Sequence, residues 1–109
     1  MIDPESIFRQ VLESGERWAD FKGAYEALDD VTKSVLADIT ANFLDGGKMT
    51  KTEAEMRALG SGDYKTHLAS LSKARKEYLR AQVTYDSLRM LAELRRSEES
   101  TKRAELQLR

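Results

Sequence analysis

The last forty-seven residues of the chain, from Asp63 to Arg109, contain neither glycine nor proline, whereas six glycines and one proline precede them. Glycine and proline are the residues that weaken a helix interior most, so this segment favours one long helix. Apolar and aromatic residues recur through it at alternating spacings of three and four, which is typical of a helix that lies along other helices. This repeat, the C-terminal seam, consists of Tyr64, His67, Leu71, Ala74, Tyr78, Ala81, Tyr85, Leu88 and Ala92.

A similar repeat, the N-terminal seam, precedes the paired glycines Gly46 and Gly47. Its members are Trp18, Phe21, Tyr25, Leu28, Thr32, Val35, Ile39 and Asn42. We predict a long helix over 16–45 that ends where glycine can adopt the left-handed cap conformation. Thr32 and Asn42 are polar, and polar seam residues often fix the register of packed helices. For Asn42, a frayed helix end is the alternative.

Shorter helices are predicted on either side of this segment. Asp3-Pro4-Glu5 is a strong helix start, and the helix that follows is expected to extend up to Gly15, giving a short helix over 4–14. The alternative is that Gly15 is only a weak point, since one glycine costs about 1 kcal/mol in a helix interior. In the connection, 46–62, Thr50 and Glu53 have the spacing of a capping box, which predicts a short helix through Leu59. Asp63 is expected to cap the final helix over 63–100, followed by a frayed, polar tail over 101–109.

These elements predict one all-α domain over 1–109, with two long helices folded back as a coiled-coil-like antiparallel hairpin. One hairpin buries only one face of each helix, so the second apolar stripe of the final helix (Leu68, Leu79, Leu91, Leu94) needs another partner. We therefore expect a homo-oligomer. The residues predicted to form the core or the oligomer contacts are Trp18, Phe21, Tyr78, Tyr85, Leu88, Leu91 and Leu94.

Composition excludes several classes of function. The chain has no cysteine, which removes disulfides, thiolate metal sites and cysteine nucleophiles. His67 is the single histidine and has no ligand-spaced acidic or histidine partners, so neither a metal nor a catalytic site is predicted. We expect no cofactor and no enzymatic activity. No apolar run approaches the roughly 18 residues of a membrane span, and the acidic N-terminus is unlike a signal peptide, which favours a cytoplasmic protein without membrane contact.

Charge is distributed unevenly along the chain. Residues 1–62 contain seven Lys/Arg and twelve Asp/Glu, net -5, whereas residues 63–109 contain eleven and seven, net +4. At about 100° per residue, Lys65, Lys73, Lys76 and Arg80 lie within about 80° of one another, opposite the C-terminal seam. This basic stripe is either a track for a phosphate backbone or a solvated face that maintains solubility. Lys48 and Lys51 add positive charge to the connection.

Tyrosines offer a second kind of contact with nucleic acid, because aromatic rings stack on unpaired bases. Tyr64 lies at the predicted start of the final helix and is the best candidate for such stacking. Tyr78 and Tyr85 are one heptad apart on the C-terminal seam, where packing in the core is the favoured role. The residues predicted to contact DNA are therefore Lys48, Lys51, Tyr64, Lys65, Lys73, Lys76 and Arg80.

The pattern of the final helix resembles a group of known proteins. Tyr64, His67, Leu68, Leu71 and Ala74, followed by Tyr78, Ala81, Tyr85, the run Glu93-Leu94-Arg95-Arg96-Ser97-Glu98 and Arg103, look like small all-helical tailed-bacteriophage proteins that are encoded near recombination genes. The layout is also distantly similar to the UvsY recombination mediator family. The resemblance covers roughly Trp18 to Arg103.

This resemblance implies a ring-like homo-oligomer that binds single-stranded DNA in the cytoplasm of a bacterial host. It further implies that the oligomer helps to load a recombinase or an annealing protein onto strands covered by single-strand-binding protein. The mediator family is basic at the end of the first long helix, which carries the DNA contact over to Lys48 and Lys51. Here that helix also contains Asp38 and Asp45. The alternatives are a helical adaptor or inhibitor of a host enzyme, and a phage structural or scaffolding component, neither of which contacts nucleic acid.

Overall fold

The computed structural model describes residues 3–108, which form four α-helices. These helices are α1 (Pro4–Asp30), α2 (Thr32–Asp45), α3 (Lys51–Leu59) and α4 (Gly62–Gln107). No β-strand occurs between residues 3 and 108. The prediction of an all-α protein with long helices is therefore confirmed.

The chain divides into two compact units, and two of the helices contribute to both. The first unit contains the described residues up to Asp20 and those from Tyr78 onward, so it combines the start of α1 with the second part of α4. The second unit runs from Phe21 to Glu77 and contains α2, α3 and the neighbouring parts of α1 and α4.

Helix α1 continues through Gly15, so the predicted boundary between a short helix over 4–14 and a long helix from residue 16 is wrong. A single glycine lowers the stability of a helix by about 1 kcal/mol, which the flanking turns overcome. The structure gives Gly15 a packing role instead. A Cβ atom at this position would lie 3.0 Å from Cε2 of Tyr85, so the absent side chain allows the tyrosine ring to approach the backbone of α1.

The interruption lies at Val31, inside the helix predicted over 16–45, which is therefore divided into the last part of α1 and α2. Val31 has φ −90° and ψ −1°, outside regular helix geometry. The Thr32 hydroxyl donates a hydrogen bond to the carbonyl of Leu28 at 3.1 Å, which competes with the regular backbone bond at this turn. The Thr32 hydroxyl oxygen also lies 2.9 Å from Nε2 of His67 in α4.

The connection after α2 agrees with the local sequence signals. Gly47 has φ +80°, a conformation that glycine adopts without steric cost, and α2 ends two residues earlier. The Thr50 side chain accepts a hydrogen bond from the Glu53 N–H at 3.2 Å, so it caps α3. The predicted short helix through Leu59 is thus confirmed, as is the end of α2 at the paired glycines.

Helix α4 differs from its prediction at both ends. Its first turn is capped by Ser61, whose hydroxyl accepts a hydrogen bond from the Tyr64 N–H at 3.2 Å; Asp63 lies inside the helix and is not the cap. The helix extends to Gln107, so the frayed tail over 101–109 is wrong for residues 101–107, and Arg109 lies outside the described residues. Glutamate, lysine, arginine, alanine and leucine dominate this segment, and all are good helix formers.

Burial follows the two seams but remains shallow. Every member of the C-terminal seam is buried or half-buried, and so is every member of the N-terminal seam except the exposed Asn42. The buried apolar residues are Ile7, Ala54, Ala58, Ala74 and Ala81. No large side chain of the described residues is completely buried. Near-complete burial is thus confined mostly to alanines, and the larger side chains of the two seams are only half-buried.

Candidate nucleic-acid interface

The basic residues predicted on α4 are exposed in the structure. Lys65, Lys73 and Lys76 belong to the second unit and Arg80 to the first. They occur on a helix whose C-terminal seam is buried or half-buried, so regular helix geometry turns their side chains away from that seam. Within the second unit, helix formation therefore places Lys65, Lys73 and Lys76, which are up to eleven positions apart, along one side of α4.

None of these four side chains forms an ion pair with a carboxylate within the described part of the chain. The two ion pairs found there are Lys22–Glu26, with 4.0 Å between Nζ and Oε1, and Arg89–Asp86, with 3.7 Å between Nη2 and Oδ1. In addition, the segment from Tyr64 to Lys76 contains no acidic residue. An uncompensated row of cations attracts phosphate groups, because binding releases the counterions that are condensed on a nucleic acid.

Lys48 and Lys51 lie in a different part of the second unit. Lys48 is exposed in the turn after α2, and Lys51 is the first residue of α3. The structure therefore distributes the predicted DNA-contacting residues between the connection and α4.

Tyr64 lies in the first turn of α4 and is half-buried. The Tyr64 backbone N–H donates a hydrogen bond to the Ser61 hydroxyl, which caps the start of α4. Because Tyr64 is only half-buried, part of its surface is open for contact with a base. Lys65, the next residue, lies about 100° around the helix from Tyr64.

The aromatic residues of the first unit are engaged with one another. The rings of Trp18 and Tyr85 are stacked, with centroids 5.6 Å apart and an interplanar angle of 10°. The Arg89 guanidinium lies over the Tyr85 ring, 5.5 Å from its centroid. Such stacked and cation–π contacts stabilise the packing of helices. Tyr85 is therefore occupied by contacts within the unit.

The remaining residues predicted for the core or the oligomer contacts are covered to different extents. Phe21, Tyr78, Leu88 and Leu91 are half-buried. Leu94 is 61% exposed, so its apolar surface faces solvent in the isolated chain. Leu68 and Leu79, which were assigned to the second stripe, are 40% and 41% exposed.

The structure also contains a groove that the sequence reasoning did not identify. It has a volume of about 470 Å³ and lies between α2 and α3 in the second unit. Its floor is apolar, and Lys33, Lys51 and Glu55 line its edges; the apolar lining residues are Leu36, Ala37, Ala41, Leu44 and Leu59. Ala54 and Ala58 are completely buried, which indicates that their face of α3 packs closely. The apolar residues of α2 outside the N-terminal seam were the sequence signal for this groove.

Other kinds of site were sought in the same residues. No group of three or more His, Asp or Glu side chains in the described part of the chain is arranged to hold a metal ion. None of the described helices combines the length and apolarity needed to cross a membrane. A search for related proteins found no matching family model, no similar curated protein and no similar solved structure.

Proposed function

We propose that this protein is a self-associating helical accessory factor that binds single-stranded DNA through the basic stripe of α4. The observation that carries this proposal is the row of exposed lysines at positions 65, 73 and 76, none of which has a carboxylate partner within the described residues. Lysines in this arrangement contact phosphates without reading base sequence. Tyr64, which precedes Lys65 and is half-buried in the first turn of α4, supplies an aromatic surface for an unpaired base.

The biological role that fits such binding is assistance in phage DNA recombination or replication, in the cytoplasm of the bacterial host. The resemblance to phage mediator proteins supports this role and names its partners as a recombinase, an annealing protein or a single-strand-binding protein. An oligomer would present several basic stripes to one strand. Repetition of a modest cationic surface increases avidity without any new type of contact.

We also propose that the long helices form the antiparallel hairpin predicted from the sequence. Two contacts support this arrangement. Trp18 stacks on Tyr85 in the first unit, and Thr32 is hydrogen-bonded to His67 in the second. In each unit, therefore, a residue from the first half of the chain contacts a residue of α4.

A binding titration tests the DNA proposal. Fluorescence anisotropy with a labelled oligothymidine of about thirty nucleotides should show binding at low ionic strength that weakens steeply as salt is added. The double variant Lys73→Glu with Lys76→Glu should bind at least about tenfold more weakly. Light scattering should give the same oligomer mass for this variant as for the original chain, because neither residue belongs to the seam.

The matched control is Lys102→Glu with Arg103→Glu, which changes the net charge by the same amount at exposed positions near the end of α4. This control should retain most of the affinity. Equal losses in the two double variants would show attraction by net charge alone, and absence of binding at low salt would exclude the proposed DNA contact.

The groove between α2 and α3 favours a second candidate function, that of a protein-interaction module acting as an adaptor or an inhibitor of a host enzyme. Its apolar floor and charged edges are suited to an amphipathic helix from another protein. Ala41→Glu would place a charge on this floor. If the protein is such an interaction module, a partner isolated with the original chain should be lost from Ala41→Glu and retained by the Lys73→Glu, Lys76→Glu variant. The DNA proposal instead predicts that Ala41→Glu retains its DNA binding.

A further inference from the structure

The start of α1 carries an exposed surface, the acidic segment, in which two carboxylates flank two apolar side chains. Phe8 and Leu12 are 71% and 54% exposed. Glu5 and Glu16 are exposed before and after this pair. At about 100° per residue the four side chains lie within about 80° of one another, roughly opposite the buried Ile7. The acidic segment is therefore one face of α1, about 17 Å long, with its apolar pair between its charges.

The groove between α2 and α3 shows the opposite charge in a similar arrangement. Lys33 and Lys51 are exposed and line this groove. Lys33 is the second residue of α2, whereas Lys51 begins α3 after the turn that follows α2, so the two lysines lie at opposite ends of the groove. On α2, Lys33 and Leu44 mark these two ends and are eleven residues apart. The two carboxylates of the acidic segment have the same separation along α1.

A third charge on each surface is also of opposite sign. Arg9 is exposed at the edge of the acidic segment, between its two carboxylates, and Glu55 lines the groove one turn after Lys51. Glu13, on the same flank as Arg9, adds a further negative charge to the segment. None of the charged side chains of the two surfaces forms an ion pair within the described residues. Complementary charges of this kind direct two surfaces towards each other.

The apolar side chains of the two surfaces are suited to the binding of a helix in a groove. Phe8 and Leu12 are four residues apart, which is a spacing of the anchors by which an amphipathic helix binds a groove. The groove contains Leu36, Leu44 and Leu59, the last of which is 53% exposed. Contact between the two surfaces removes apolar area of both from water, which favours association.

We propose that the acidic segment of one copy of this chain docks in the groove between α2 and α3 of a second copy. The proposal rests on the self-association included in the proposed function and names the two surfaces that associate. Since the two surfaces differ and each copy has both, the contact repeats from copy to copy. The residues that line the groove belong to α2 and α3, so the exposed lysines of α4 are outside the contact. Lys51 belongs to the contact between copies.

Mixing of two defective variants tests this head-to-tail contact. Phe8→Glu damages the acidic segment and keeps the groove, whereas Ala41→Glu damages the groove and keeps the segment. Both positions are exposed, so neither substitution disturbs a buried contact. By sedimentation, the original chain should be oligomeric and each variant alone monomeric. An equimolar mixture should form a dimer with one copy of each variant and nothing larger, because it contains one intact pair of surfaces. A mixture that stays monomeric would overturn the proposal.

Val83→Glu is the control, since Val83 is 66% exposed on α4 and belongs to neither surface. This variant should keep the mass of the original chain. Equal loss of mass in Val83→Glu and Phe8→Glu would show a general effect of added charge and overturn the proposal. The monomers of Ala41→Glu still carry the exposed lysines of α4, so their formation is compatible with DNA binding by that variant.

Charge reversal tests the pairing of the two surfaces. Lys33→Glu with Lys51→Glu should weaken self-association at least about tenfold at low salt, because the groove then repels the acidic segment. Addition of Glu5→Lys and Glu16→Lys to the same chain should recover most of this loss, with unchanged helical circular dichroism. A variant with all four substitutions that associates no better than the lysine double variant would contradict the proposed contact.

These experiments contain no DNA, so they separate this contact from the proposed function. If the original chain is oligomeric and both Phe8→Glu and Ala41→Glu keep its mass, only this contact is rejected. A strictly monomeric original chain would also reject the self-association in the proposed function.

Discussion

The hydroxyl oxygen of Thr32 and Nε2 of His67 lie 2.9 Å apart, although the two residues are separated by 35 positions in the sequence. The Thr32 hydroxyl already donates its single proton to the carbonyl of Leu28. It therefore accepts from His67, whose Nε2 must carry a proton. The only histidine of the chain thus has a structural role, in which it holds the start of α2 against α4 within the second unit.

Removal of this hydrogen bond should lower the stability of the protein. Thr32→Val leaves the His67 N–H without its acceptor, and we expect the free energy of unfolding to fall by about 1 kcal/mol, since both groups are half-buried. Urea denaturation followed by circular dichroism measures this change. Thr32→Val combined with His67→Leu should cost less than the sum of the single substitutions.

Thr66 supplies the control for this prediction. Its hydroxyl donates to the carbonyl of Gly62 at 2.9 Å, as the Thr32 hydroxyl does to Leu28, but Thr66 is exposed. Thr66→Val should therefore change stability by a few tenths of a kcal/mol only. If Thr32→Val and Thr66→Val have the same effect, the contact with His67 contributes nothing.

The two glycines within α1 should respond differently to replacement by alanine. At Gly23 an added Cβ atom meets nothing within 4 Å, so Gly23→Ala should raise the free energy of unfolding by up to about 1 kcal/mol through helix propensity. At Gly15 the same atom would lie 3.0 Å from the Tyr85 ring, which is stacked on Trp18. Gly15→Ala should therefore be less stabilising than Gly23→Ala, and Gly15→Val should be destabilising by about 1–3 kcal/mol.

Thermal unfolding of the three variants measures this difference. Replacement of Tyr85 by alanine removes the ring that the new side chain would meet, so Gly15→Val should cost less in the Tyr85→Ala background. An unchanged cost would mean that the tyrosine ring does not restrict this position. The fluorescence of Trp18, the single tryptophan, reports whether the stacked pair has moved.

The cap of α3 should contribute measurably to local stability. Thr50→Ala removes the acceptor for the Glu53 N–H, and we expect α3 to be destabilised by about 1 kcal/mol. Thr50→Asp should preserve the cap. Hydrogen exchange of the α3 amide groups measures the effect, and Thr52→Ala, at the exposed second residue of α3, serves as the control. Faster exchange in Thr52→Ala than in Thr50→Ala would contradict the role of Thr50.

Neutral substitutions on the basic stripe test the proposed phosphate contacts separately from charge repulsion. For single-stranded DNA, each phosphate contact contributes about 0.7 to the slope of the logarithm of affinity against the logarithm of salt concentration. Lys73→Gln and Lys76→Gln should each reduce this slope by about 0.7. Anisotropy titrations at several salt concentrations provide the slope. A lower affinity with an unchanged slope would place these lysines outside the contact with DNA.

Much of the fold could be predicted because its signals are local. The alternating repeat from Tyr64 to Ala92 indicated the buried face of α4, since helix periodicity alone determines which residues share a face. The same argument predicted that Lys65, Lys73 and Lys76 would be exposed. The three-residue spacing of Thr50 and Glu53 predicted the start of α3. For the candidate site, helix periodicity predicted the basic stripe but not the groove that Lys51 lines.

What the sequence by itself determined is the helical class, the seams and the caps, each of which depends on residues within one or two turns. Only the tertiary structure decided that α1 passes through Gly15 and that the helix is interrupted at Val31. At Gly15 the helix packs closely against the Tyr85 ring, and the interruption at Val31 accompanies the hydrogen bond between Thr32 and His67. Both involve partners far away along the chain, and spacing within one helix contains no information about which distant side chain will meet it.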